Sequence, residues 1–241
     1  MGRRFGVLLC APDQDYVNKM YGGYFSLFKG ILSEAEEKWD LFKVLEGEFP
    51  AMEEVYKYDG FVVSGSRFDA HGNDVWILDL CRFLQTLHTM RIKVLGICFG
   101  HQILCRALGG KIGRAVIGWD IGLRKITVSK RLSTKHFGLE IPSIIRVLEC
   151  HQDQVYKVPL GAEIIASSDK TSIEMFSFGD HILGVQGHPE YTSDILLNFI
   201  DNLLDKSCIQ VKLSEEAKAS LANSQPDKEI WEKICKSFLK S

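Results

Sequence analysis

Over the first hundred residues, short apolar runs alternate with longer stretches whose apolar positions recur at helical spacing. Residues 5–9, 41–45, 60–63 and 93–97 are continuous enough in Val, Leu, Ile and Phe to read as buried strands. Residues 76–84 carry the apolar stripe of a helix packed on a sheet. Strands separated by helices need crossover connections, which are right-handed and build a mainly parallel sheet. After Gly110 the pattern changes. Residues 121–128, 144–148, 163–167, 173–178 and 181–186 are closely spaced and rich in Ile and Val. With no helix expected between them, they predict antiparallel strands extending the same sheet. Helical periodicity returns over 194–206, and Ser214 and Asp227 stand where two final helices would be capped. The pattern predicts an α/β fold: a central, mostly parallel mixed sheet flanked by helices, with an antiparallel extension. This catalytic-sized unit is expected over 1–206, with a helical appendage over 207–241.

Composition narrows the range of functions. A chain of 241 residues, 46% hydrophobic and 25% charged, can bury a core without staples. A net charge of −2 provides no global field for nucleic acid or an anionic membrane. The seven cysteines are odd in number and scattered, with no C-x-x-C pair, which argues against a disulfide framework or a zinc ribbon. A reduced compartment follows. The first apolar run is too short for a signal-peptide core, Gly6 stands where N-myristoylation expects Ser or Thr, and no run approaches transmembrane length. A cytosolic protein without metal or other cofactor is expected.

One cysteine has a chemical context. Gly96-Ile97-Cys98-Phe99-Gly100 has nucleophile-elbow spacing, with an apolar strand before it and a helical run to Leu108 after it. A thiol at a helix N-terminus is stabilised as thiolate by the helix dipole. The Phe99 N–H, next along, is placed to donate to an oxyanion. A thiolate acyl-transfer centre needs a base held by a third group. His188-Pro189-Glu190 follows the last strand, and residues two apart in extended backbone point the same way. Cys98, His188 and Glu190 are the expected catalytic triad. Cys10, Cys81, Cys105 and Cys150 sit at apolar positions without such context and read as structural. So does His101, whereas His151 is a candidate for a substrate loop.

The run Gly96-Ile97-Cys98-Phe99-Gly100-His101-Gln102, together with Gly187-His188-Pro189-Glu190, resembles the class I glutamine amidotransferase family, whose signature is a G-x-C-x-G-x-Q elbow and a distant H-P-E. The resemblance covers roughly residues 5–205. It implies a Cys-His-Glu triad that cleaves γ-glutamyl amides through a thioester. It places an oxyanion loop at Ser64-Gly65-Ser66, with the Gly65 N–H as partner of Phe99, although Gly65-Ser66-Arg67 replaces the Gly-Pro-Gly run of many members. It gives Gln102 a contact with the glutamyl group, and gives the His151-Gln152-Asp153 backbone the substrate's α-amino and α-carboxylate groups. Details such as Tyr21-Gly22-Gly23-Tyr24 and Cys150-His151-Gln152-Asp153 are similar to plant γ-glutamyl peptidases, implying hydrolysis of glutathione, its S-conjugates or related peptides. The alternative is a glutaminase subunit supplying ammonia to a partner synthetase. No obligate synthetase partner is expected, because the chain has no second synthase-sized domain. Arg67, beside the oxyanion loop, is a candidate for a carboxylate on the leaving side of the substrate. Its plainer reading is a solvated loop residue paired with Asp69.

Overall fold

A computed structural model describes residues 2–241. Nine strands form one sheet in the order β2-β1-β3-β4-β11-β10-β9-β6-β7. Its parallel half comprises β1 (Arg4–Leu9), β2 (Lys38–Lys43), β3 (Gly60–Val63), β4 (Lys93–Ile97) and β11 (Ile182–Val185). The antiparallel half comprises β6 (Asp120–Val128), β7 (Ile144–His151), β9 (Glu163–Ser167) and β10 (Met175–Phe178). Between these, β5 (Lys111–Arg114) and β8 (Asp153–Lys157) form a separate two-stranded ribbon. The expected mixed sheet with an antiparallel extension is therefore the fold.

The inner parallel strands β1, β3, β4 and β11 are buried on both faces, as crossover connections require. Alternate residues go to opposite cores. Phe5, Val7, Val62, Leu95, Ile97 and Val185 lie in one; Leu8, Phe61, Val63, Val94 and Ile182 lie in the other. The second core is covered by α3 (Val75–Thr89) and α4 (Phe99–Ala107). The first receives α2 (Tyr24–Leu32), which follows the short α1 (Asp15–Tyr21), and α6 (Ser193–Asp205). It also receives α7 (Val211–Asn223) and α8 (Lys228–Lys240), the latter through Trp231, Ile234, Cys235, Phe238 and Leu239. None of the helices is long and apolar enough to cross a membrane among the described residues.

Several boundaries differ from expectation. β2 begins three residues earlier than the apolar run 41–45, and Val44–Glu46 turns away as a 3-10 helix. An edge strand needs only one covered face, so Lys38 and Asp40 belong to it despite their charge. A helix, α5 (Lys130–Phe137), interrupts the stretch expected to be all strand. Asp227 precedes α8 as expected, with its carboxylate on the Arg146 backbone N–H at 2.7 Å. Ser214 is not a cap. It lies buried inside α7, whose N-cap is Gln210, because the apolar face of that helix starts upstream of Ser214.

Candidate active site

Three neighbouring parallel strands end on the same edge of the sheet, where open α/β sheets place their ligands. Val63 of β3 is in register with Gly96 of β4, and Ile97 of β4 with Val185 of β11. Each strand then turns out with one candidate residue: Gly65, Cys98 and His188.

Cys98 stands between β4 and α4 with φ 52° and ψ −103°, a backbone conformation that a side chain other than glycine rarely adopts. Its own N–H is tied to the Val185 carbonyl at 2.8 Å and its carbonyl accepts Gln102 N–H at 3.1 Å, so both sides of the turn are fixed. The flanking glycines are demanded by contact. A Cβ on Gly96 would lie 2.4 Å from Gly100 O, and one on Gly100 would lie 2.3 Å from Val63 O. The G-x-C-x-G spacing thus records how closely strand and helix approach.

His188 Nδ1 lies 2.8 Å from Glu190 Oε1, and both residues are buried. The sequence argument reached this pair by a different route from the fold. His188 is not followed by extended chain; its carbonyl accepts Tyr191 N–H at 3.3 Å, so Pro189 and Glu190 form a turn. With Nδ1 engaged by Glu190, Nε2 is the nitrogen left for other chemistry. Burial opposes a charged imidazole, yet the charges of Glu190 and Cys98 outweigh it and raise His188 to about 10. Burial pushes the Cys98 thiol up, and the His188 charge with its hydrogen bond pulls it back only in part. Tyr191 stacks flat on the imidazole, ring centroids 3.9 Å apart at 5°, closing its far face.

A Cβ on Gly65 would lie 2.9 Å from His188 Cε1 and 3.7 Å from Cys98 Cβ, so the loop passes directly over the pair. Its two serines brace it. Ser64 Oγ accepts Cys10 N–H at 2.8 Å and donates to Gly65 O at 2.9 Å, while Ser66 Oγ donates to Cys10 O at 2.7 Å. Phe99 N–H, opening α4, is one of the donors that a helix leaves without an internal acceptor. Phe99 stacks on Trp76, and Trp76 meets Phe68 edge-on, so aromatic packing links α4 to the end of the Gly65 loop.

Gln102, one turn into α4, is buried and donates to the Asp153 carbonyl at 2.8 Å and to Gln186 Oε1 at 3.1 Å. His151 Nδ1 is 2.9 Å from that same carbonyl. The ribbon register sets Arg114 opposite Asp153, where its guanidinium meets the Asp153 carboxylate at 3.1 Å, Asp69 at 2.9 Å, and Gln152. His71 Nδ1 also reaches Asp153, at 3.1 Å. Burial pushes the Asp153 carboxyl up, partly offset by Arg114. Asp69, Gln102, Arg114, His151, Gln152 and Asp153 line one cavity of about 610 Å³ with Cys98, His188 and Glu190. Arg67 lines it as well, exposed, its guanidinium carbon 5.4 Å from the Phe68 ring centroid. Asp69, its expected partner in the plainer reading, is held by Arg114.

The sequence reading missed Tyr191, Arg114, and the bracing roles of Ser64 and Ser66. Tyr191 directly follows the H-P-E run and could have been read as its ring partner. Arg114 depends on a ribbon register that nothing local announces. His101 is fully buried away from this cavity, as its structural reading expected, and burial lowers it to about 3.

The geometry fits a hydrolytic thiol centre, and comparison with known proteins places the chain. Residues 31–203 match the family model described as Glutamine amidotransferase class-I. Gamma-glutamyl peptidase 5 of Arabidopsis thaliana is 47% identical over 99% of this chain and 96% of its own length. Gamma-glutamyl peptidase 3 of the same plant is 46% identical over 99% and 97%. A solved glutamine amidotransferase structure from Thermotoga maritima, 20% identical, superposes with a TM-score of 0.75 and covers 100% of both chains. By its family match and by relatives that run its full length, this chain belongs to the class I glutamine amidotransferase family.

Proposed function

We propose that the protein is a γ-glutamyl peptidase, hydrolysing the amide between a γ-glutamyl group and an amine such as the cysteinyl nitrogen of glutathione, of its S-conjugates or of related peptides. The observation that carries this is the meeting of a strained Cys98 with the His188–Glu190 couple inside one cavity. The two relatives named gamma-glutamyl peptidase, aligned from end to end, support the choice of bond.

The chemistry follows from the groups present. Cys98 thiolate adds to the γ-carbonyl carbon, and the electron pair moves to its oxygen, opposite the Gly65 and Phe99 N–H groups. His188, charged and oriented by Glu190, gives its Nε2 proton to the departing amine as the C–N bond breaks, leaving a γ-glutamyl thioester. Neutral His188 then takes a proton from water. The hydroxide adds to the thioester, and glutamate leaves as the Cys98 thiolate is restored. Gln102 and the backbone of His151-Gln152-Asp153 hold the α-amino and α-carboxylate ends of the glutamyl group, and Arg67 faces the leaving side. No synthetase partner is needed for these steps.

The test is a panel of glutathione, S-conjugates, γ-glutamyl dipeptides and glutamine given to the purified protein alone. Glutamate release from the peptides at a higher kcat/KM than from glutamine is expected. Release from glutamine only would replace the peptidase with a glutaminase.

A further inference from the structure

Behind His151 lies a group of buried acids that the steps above do not use. Glu149, two residues earlier on β7, shares its face of the strand, and its Oε2 comes within 3.4 Å of His151 Nε2. Its Oε1 fills the space beside Gly187, where a Cβ would lie only 2.6 Å away, directly before His188. Glu174, just before β10, pairs with it side chain to side chain. As carboxylates, these residues would bury four oxygens that have no donor among the described residues. Native proteins very seldom leave such groups unpaired.

His151 supplies the missing term. Its Nδ1 faces the Asp153 carbonyl, and a carbonyl can only accept, so Nδ1 bears the hydrogen. In a neutral ring, Nε2 is then a bare lone pair, also buried without a donor. One proton on Glu149 removes one of the two buried charges and gives His151 Nε2 a donor.

We propose that Glu149 is a positioning residue kept as a carboxylic acid, its Oε2–H directed at His151 Nε2. That proton fixes His151 as the Nδ1–H tautomer, which holds the Asp153 carbonyl where Gln102 also reaches it. The consequence for substrate binding rests on the proposed role of the His151-Gln152-Asp153 loop. The surroundings favour the neutral state. From β6, Asp120 faces the group, neutralised by Arg124 at 2.6 Å and approached by Lys170 at 3.6 Å. Ser168 borders Glu174, Gln186 approaches from the end of β11, and the His188 and His101 rings act on His151 from the two neighbouring elements. Burial, together with Glu174 and Asp120, holds Glu149 well above the carboxylate range, and burial lowers His151 to about 4.

Glu149→Gln and Glu149→Ala separate this from mere packing. Gln keeps the shape and offers an N–H to His151 Nε2 in place of the acid O–H. With a γ-glutamyl dipeptide, E149Q should keep KM and kcat within about twofold of wild type, and E149A should raise KM about tenfold with a smaller change in kcat. Wild-type KM should also climb as pH rises and the acid loses its proton, and E149Q should remove that limb. The ¹⁵N spectrum of histidine-labelled protein without substrate should show His151 as a neutral Nδ1–H ring in both wild type and E149Q. An imidazolium or Nε2–H signal, or an E149Q as impaired as E149A, would overturn the assignment. The spectrum reads the proton whether or not the peptidase reading stands. The dipeptide assay with wild-type enzyme tests that reading separately, and E149Q suffices if E149A does not fold.

Discussion

Cys98 is where a single side chain decides most. Cys98→Ala should abolish turnover with the fold intact, because the other thiol lining the cavity, Cys150, lies within β7 rather than at an elbow, and burial pushes it up to about 12. Only the small residual rate that binding and oxyanion donors can supply should remain. Active-site titration with an alkylating reagent must correct for the exposed Cys208. Glu190→Gln removes the charge that does most to raise His188. Turnover should fall on the order of 10²-fold or more. The wild-type kcat/KM profile should rise only as pH passes the ordinary thiol value of 9.0, because Cys98 is raised above it, and fall as His188 loses its own proton near pH 10. In E190Q that alkaline limb should move down, and a limb left at pH 10 would show that another group holds the imidazole. Arg67→Ala should lower kcat/KM for glutathione about tenfold, the low end for a hydrogen bond to a charged group because Arg67 is exposed, and leave glutamine unchanged. An equal fall for both substrates would take Arg67 out of leaving-group recognition. Cys98, His188 and Glu190 were readable from sequence because each combines a reactive residue type with a local spacing. Arg114 and Glu149 were not, because their importance depends on which distant residue a strand register places opposite or beside them.

At the scale of elements, α8 is the piece whose energetics are most open to measurement. Trp231 is almost fully buried, and its indole N–H donates to the Arg146 carbonyl at 3.0 Å, while Asp227 grips the Arg146 guanidinium at 2.7 Å. Trp231→Ala should therefore cost about 3–5 kcal/mol in a urea titration. At this chain length that is a drop in Tm of roughly 10 °C. A loss below 1 kcal/mol would mean that α8 contributes little to holding the sheet. The parallel half of the sheet was legible because its inner strands are buried on both faces and advertise themselves as apolar runs. The edge strand β2 was read too late and too short, since its outer positions are free to be polar. α5, with its two basic residues before an ordinary helix stop, carries almost no apolar stripe, and the ribbon strands β5 and β8 are too brief and too polar to stand out.

Across the whole molecule, many buried groups bind more protons folded than unfolded, among them Glu149, Glu174 and His188. Glu174 is raised to about 7 and Glu149 well above the carboxylate range, each from an unfolded value near 4.5, while His188 rises from 6.5 to about 10. Where the folded state holds the extra proton, stability falls as pH rises. The imidazolium contribution is complete below pH 6.5 and is lost as pH climbs through 10; Glu174 begins to oppose folding above 4.5 and does so in full above about pH 7. Tm should accordingly decline from about pH 6.5 to 10 as His188 loses its proton, and a flat curve would contradict the raised imidazolium. The docking of α8 has another consequence, in time rather than in energy. Lys93, opening the strand that leads to Cys98, donates through its ammonium to the carbonyl of Phe238 at 2.8 Å, and Leu239 packs in the same core as Cys98. On the ribosome, the elbow is synthesised long before the residues that cover the sheet beneath it. A nascent chain can therefore form its first strands early, yet it cannot seal the core under Cys98 until translation has delivered Leu239 and the ribosomal tunnel has released it.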